Sequence, residues 1–171
     1  TVNRRRLYRN YESEDLAGRI EFSGTFDLAG MAHHILIGAD AYKYTLDITQ
    51  DRWRVAWGVN DTTYSVNKYN PVYGQDLPSL SPTRFDTEDQ DSVGVYIQDQ
   101  IDITDKFKIQ GGIRFDDFEQ DFESYLSGQV TSQSQTATSP RVGLVYEASE
   151  RYTLYASYSE GFRPNSGSNL S

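Results

Sequence analysis

Hydrophobic and polar residues alternate along much of the chain. From Ser92 to Ile103, Val93, Val95, Ile97, Ile101 and Ile103 share one parity while Gln98, Gln100 and Asp102 take the other. After a polar break at Thr104-Asp105-Lys106 the alternation resumes through Ile109 and Ile113. A period of two marks a strand with one apolar and one polar face. The same reading predicts strands over residues 18–28, 34–46, 92–103, 107–118, 136–147 and 152–162. Leu36 disturbs the second of these. Asp99 falls on the apolar parity of the third, which calls for a bulge or a place near an interface where a carboxylate costs little.

Three connections are short: Ala29-Gly30-Met31-Ala32, Thr104-Asp105-Lys106 and Ala148-Ser149-Glu150. They follow the first, third and fifth strands and therefore share one end of the sheet. Residues 48–91 contain Pro71, Pro78 and Pro82 among many Gly, Asn, Asp and Ser residues, and they predict a long loop at the other end. A medium loop is expected over 119–135. Loops as long as 48–91 are uncommon inside compact domains and are usually functional. The expected fold class is all-β, an antiparallel up-and-down meander of about six long strands. Such one-ended elaboration, with polar faces rich in Gln, Asp, Lys and Arg, suits the wall of a transmembrane barrel. A soluble β-barrel or β-sandwich that binds a small ligand or a protein partner alternates in the same way and is the rival reading.

Composition sharpens this picture. Aromatic residues make up 13% of the 171 residues, yet the hydrophobic fraction is 37% and the mean hydropathy is -0.66. Disordered chains are poor in aromatics; half-apolar strands are not. The net charge of -9 and the isoelectric point near 4.6 give no electrostatic basis for binding nucleic acid. The absence of cysteine excludes disulfides, thiolate metal sites and cysteine nucleophiles within this chain. The longest apolar run, around residues 35–39, is far short of the ~20 residues of a membrane helix, a test to which membrane β-strands are invisible.

Candidate chemistry is sparse. His33 and His34 are adjacent on a strand, so their side chains point to opposite faces and do not share a metal; they sit at the short-turn end, away from the long loops. With no other imidazole, no nucleophile–base–orienter set is legible, and an enzyme is not expected. The acidic runs Asp86, Glu88, Asp89, Asp91 and Asp116, Asp117, Glu119, Asp121, Glu123 lack the glycine and terminal glutamate of a calcium loop and read as solvated rim charge.

Four stretches, in order, resemble one family. "SVGVYIQDQIDITDKFKIQGGIRFDDF" carries a G-x-Y-x-Q-D strand (Gly94, Tyr96, Gln98, Asp99) followed by a G-G-x-R-x-D strand (Gly111, Gly112, Arg114, Asp116). "HHILIGADAY" contributes His34, Ile37, Gly38 and Asp40. "YNPVYGQ", residues 69–75, matches a segment of a long outer loop, and residues 139–167 match a hairpin ending in Ser157, Ser159, Phe162 and Pro164. Together these resemble the barrel of TonB-dependent outer-membrane receptors for ferric siderophores, the ferrichrome type in particular. The resemblance implies the outer membrane of a Gram-negative bacterium and a 22-stranded barrel of which this is an internal part. It implies a ferric siderophore as transported ligand, with no cofactor, and a TonB complex acting through a plug domain that these residues do not contain. Such a slice in isolation is expected to aggregate or self-associate, because its flanking strands leave unpaired edges.

A ferric chelate offers oxygens around the metal within an organic shell, so its receptor needs aromatic faces and a few cations. The long loop supplies Arg52, Trp53, Arg54, Trp57, Tyr64, Tyr69 and Tyr73, with Lys68 beside them. Gln98, Arg114, Asp116 and Arg141 are expected to face the barrel interior as a structural hydrogen-bonded ladder.

Overall fold

A computed structural model describes residues 1–59 and 61–164. They form six strands: β1 (Arg5–Leu28), β2 (Met31–Arg54), β3 (Ser81–Thr104), β4 (Phe107–Ser124), β5 (Gln129–Ser149) and β6 (Tyr152–Ser159). The strands pair in chain order in one sheet, the expected all-β meander. β5 and β6 are antiparallel, with Leu144 opposite Ala156 and Val142 opposite Tyr158. Residues 165–167, the end of the last motif, lie outside the described residues.

The first turn is tighter than the four residues expected. Ala29 and Gly30 both have positive φ, 53° and 80°. This is the mirror-image two-residue turn whose twist matches that of a hairpin. Met31 and Ala32 already belong to β2.

The strand boundaries need correction. β1, β2 and β3 have 24 residues each, β4 has 18 and β5 has 21, against the ~9–11 that cross a bilayer. The loop expected over 48–91 contracts to 55–80, so Arg52, Trp53 and Arg54 belong to β2. The loop expected over 119–135 contracts to the turn Tyr125–Gly128, and β6 ends at Ser159, not residue 162. The cause lies in what each face carries. Along β4 the outward residues change from Ile109, Ile113 and Phe115 to Asp117, Glu119, Asp121 and Glu123, while the inward Asp116, Phe118, Gln120 and Phe122 are buried. A strand whose apolar residues cross to the other face keeps its backbone pairing but loses the pattern that announces it.

The chain divides into two compact units. Residues 1–14, 45–89 and 122–131 form the first, in which Ile48, Gln50, Asp86 and Phe122 are buried. Gln50 is its polar hub. Its Oε1 accepts a hydrogen bond from Arg9 Nε at 3.1 Å, and its Nε2 donates to the Thr83 hydroxyl at 3.0 Å. That hydroxyl donates to the Gln50 carbonyl at 2.9 Å.

The second unit, which among the described residues comprises 15–44, 90–121 and 132–164, is a two-faced wall. Its outward apolar residues are uncovered: Phe22 is 67% exposed, Ile20 59% and Val93 53%. Ile20 and Phe22, with Ile37, Ile97, Ile113 and Phe115, border a shallow apolar groove of about 620 Å³. A soluble sandwich or barrel would bury this face in its core. Here the polar face does the packing, which is the arrangement of a wall that meets lipid outside and polar groups inside.

Candidate functional site

The inward face of the second unit is built around glycines. Tyr96 on β3 lies across Gly38 on β2, where a Cβ would fall on its ring. Arg114 on β4 lies across Gly94 on β3 in the same way, and Arg141 on β5 across Gly112 on β4, where a Cβ would stand 3.0 Å from its Nε. In each case a long side chain reaches back over the preceding strand; at Gly38 and Gly94 a Cβ would collide with it, and at Gly112 a Cβ would crowd both Arg141 and the Ile97 carbonyl. This gives a physical meaning to the spaced glycines of the motifs.

The reach is used. By crossing β3 at Gly94, the Arg114 guanidinium attains β2, where Nη1 and Nη2 donate to the two carboxylate oxygens of Asp40 at 2.7 and 2.9 Å. Nε and Nη2 are bound by Asp116 Oδ1 at 2.8 and 2.7 Å. The forked guanidinium therefore ties β2 to β4 through a geometry that lysine lacks. Its carbon stands 5.5 Å from the Tyr96 ring centroid, and the Tyr96 hydroxyl donates to Glu21 on β1. Of the residues expected on the inner wall, Arg114 and Asp116 meet directly. Arg141 and Gln98 border a concave polar pocket of about 410 Å³ that also includes Arg114, Tyr96 and Glu21. Glu21, Asp40 and Tyr96 complete the ladder and were not among the site residues read from the sequence; Tyr96 and Asp40 stand within quoted motifs, whose spacing relative to Arg114 was the available signal.

The adjacent histidines do point to opposite faces. His33 Nδ1 lies 2.7 Å from Asp99 Oδ2, and the ring stacks on Phe26 with centroids 5.2 Å apart. The misplaced parity of Asp99 is thus answered by a histidine on the same face, three residues beyond the turn. His34 is bonded to Thr25 at 3.2 Å and to Asp102 at 3.4 Å, and Asp102 also meets Lys108 at 3.7 Å. No group of three or more metal-ligating side chains occurs among the described residues. The acidic runs divide between faces: Asp86 pairs with Arg84 and Asp116 with Arg114, while Asp117, Glu119, Asp121 and Glu123 face outward.

The 55–80 loop gathers only part of the expected aromatic set. Trp53, near the end of β2, meets Tyr64 edge to face at 5.0 Å. Tyr64 is held in turn by Arg4, whose Nε donates to its carbonyl at 2.8 Å, and a bridge joins Val2 to Val66. Arg6 donates to the Pro78 carbonyl at 2.9 Å. Trp57, Tyr69 and Tyr73 stand apart and almost fully exposed, with Lys68 4.6 Å from the Tyr69 ring centroid. Asp61, within this loop, accepts from both the hydroxyl and the backbone N–H of Thr63, which holds its carboxyl below the ordinary value. Arg54 lies beside Trp57 along a pocket that also takes in Arg4 and Arg5, two residues that sequence reading left out.

Long antiparallel strands, an uncovered apolar outer face and a polar inner face define the wall of a transmembrane β-barrel. The chain belongs to the family described as TonB dependent receptor-like, beta-barrel, which matches residues 2–171. Among curated relatives, the metal-pseudopaline receptor CntO of Pseudomonas aeruginosa is 27% identical over 176 residues, covering 99% of this chain and 24% of that protein. The ferrichrome outer membrane transporter/phage receptor of Escherichia coli K12 is 29% identical over 153 residues, 85% of this chain and 19% of that one. The chain thus spans about a quarter or less of the length of these relatives. Among solved structures, the siderophore receptor PiuA of Acinetobacter baumannii superposes with a TM-score of 0.73 at 18% identity, over 88% of this chain and 24% of that one. The open form of the ferric-catecholate import receptor Fiu of E. coli K12 gives 0.69 at 20% identity, over 91% and 26%. The soluble binding-module reading is set aside.

Proposed function

We propose that these residues are part of the wall and outer loops of an outer-membrane receptor that takes up a ferric siderophore in a Gram-negative bacterium, driven by a TonB complex acting on a plug domain. The observation that carries the reading is the family match over residues 2–171, joined to a sheet whose apolar face is turned outward. In that role the strands do no chemistry. The Arg114–Asp40–Asp116 ladder keeps the wall rigid on its inner side, and the apolar band meets lipid.

Ligand contact falls to the loop end: Trp53, Trp57, Tyr64, Tyr69 and Tyr73 supply flat apolar faces, and Arg52 and Arg54 supply charge. Exposed aromatics with two or three nearby cations match the surface of a metal chelate, which is part organic shell and part polarised oxygen. The test is uptake of ⁵⁵Fe-loaded siderophores by cells carrying the complete receptor gene, its deletion, and a deletion of TonB. Uptake of at least one chelate should require both genes. Equal uptake in all three strains for every chelate tried would exclude the proposal. Replacing Trp53 and Tyr69 together by Ala in the complete receptor should weaken binding of that chelate about tenfold or more, the scale of losing packed aromatic anchors.

A further inference from the structure

The first unit contains a cationic pocket in a chain whose net charge is -9. It has a volume of about 370 Å³ and is lined by Arg4, Arg5 and Arg54 together with Val55, Trp57 and Val59, with no acidic side chain in its wall. That volume lies within the range of small-molecule sites. Among the described residues none of the three arginines forms an ion pair with a carboxylate, and the buried Nη2 of Arg4 has no hydrogen-bond partner. Two guanidinium groups outside this pocket, those of Arg84 and Arg114, are each held by a carboxylate.

The hairpin itself brings two of these charges together. β1 and β2 are of equal length and are joined by a two-residue turn, so Arg5, the first residue of β1, falls opposite Arg54, the last of β2. Like charges directly opposite on paired strands are destabilising. An anion between them removes the penalty. Trp57 is fully exposed at the edge of the same pocket, next to aliphatic side chains. A phosphate alone would use the charges and leave the apolar part idle; an organic anion uses both.

We propose that this pocket is a subsite for the carboxylate groups of an anionic ferric chelate, with Arg5 and Arg54 as forked donors and Trp57 against the chelate's organic skeleton. The inference rests on the receptor reading and narrows it: the ligand carries negative charge, in contrast to a neutral hydroxamate chelate.

The test is equilibrium binding, by titration calorimetry, to the complete receptor in detergent, with ferric citrate as the carboxylate probe and ferrichrome as the neutral one. Ferric citrate should bind saturably and more weakly as salt is raised. The Arg5→Gln/Arg54→Gln receptor should lose about tenfold or more in affinity, the scale of lost charge-assisted hydrogen bonds. Arg54→Lys, which keeps the charge and loses the fork, should fall between, with all variants retaining the wild-type far-ultraviolet circular dichroism. Tight ferrichrome binding that the substitutions leave unchanged would overturn the subsite and leave the receptor reading intact. Failure of both chelates to bind would overturn the subsite, and the uptake experiment would then judge the receptor reading alone. Retained lipopolysaccharide that falls in the double variant, with citrate affinity unchanged, would assign the arginines to lipid phosphate and also overturn it.

Discussion

Arg114 makes a specific demand on Gly94: the guanidinium occupies the space in which any other residue would place its Cβ. Gly94→Val should therefore destabilise the complete receptor by about 1–3 kcal/mol, as overpacking does, measured by urea unfolding in lipid bilayers. Arg114→Ala should cost a similar amount, because it leaves Asp40 and Asp116 without their shared cation. The two losses should fall short of adding, since the valine has an open site once the arginine is gone; strict additivity would mean that the side chains do not meet. A second residue-scale effect concerns acid. The Asp61 carboxyl is depressed by its bonds to Thr63, so the support it gives to the loop is fully present above the carboxyl's unfolded pKa and is lost as pH falls through its lower folded value. Limited proteolysis should cut near residues 61–63 faster at pH 3 than at pH 6, and Asp61→Asn should remove most of that difference.

At the scale of the element, β4 records the edge of the apolar band. Arg substituted for Ile113 should cost about 2–4 kcal/mol if that residue lies near the bilayer midplane, and less towards the interface, whereas Glu119→Arg should cost less than about 1 kcal/mol. Equal costs at the two positions would contradict a bilayer edge between Phe115 and Asp117. The β1–β2 turn offers a gain. Ala29 holds a positive φ that Asn tolerates better, so Ala29→Asn should stabilise by about 0.5–1 kcal/mol in the same unfolding assay. These elements also show what the sequence discloses. Ile20 with Phe22, Val93 with Val95 and Ile109 with Ile113 made the wall legible because lipid requires one face to be apolar throughout. Residues 81–91 and 119–124 were legible only as loop, since Asp89, Asp91, Glu119 and Asp121 face outward where no lipid imposes a pattern. The candidate site was legible as a collection of residue types. Its geometry was not, because Arg5 meets Arg54 only through a hairpin that closes at Gly30.

At the scale of the whole molecule, β1 and β6 are the sheet's two edges, each with unpaired backbone groups, and the outward face is apolar. The 171-residue chain prepared alone in aqueous buffer should therefore self-associate, and detergent should reduce but not abolish the association, because detergent covers the apolar face and leaves the edges open. Sedimentation of a folded monomer without detergent would contradict this. A meander of similar strands faces another hazard, that of pairing two residues out of step, which preserves both faces and so escapes any penalty from lipid. Each glycine crossed by the next strand's side chain closes that escape. With β3 displaced by two, Tyr96 would strike Leu36 or Asp40 instead of Gly38; with β4 displaced by two, Arg114 would strike Ser92 or Tyr96 instead of Gly94. The three crossings act as keys, each newly added strand being proofread against the one before it. Filling one lock, as in Gly38→Leu, should then yield receptors with mixed cysteine cross-linking between β2 and β3, a population of errors and not merely a weaker barrel.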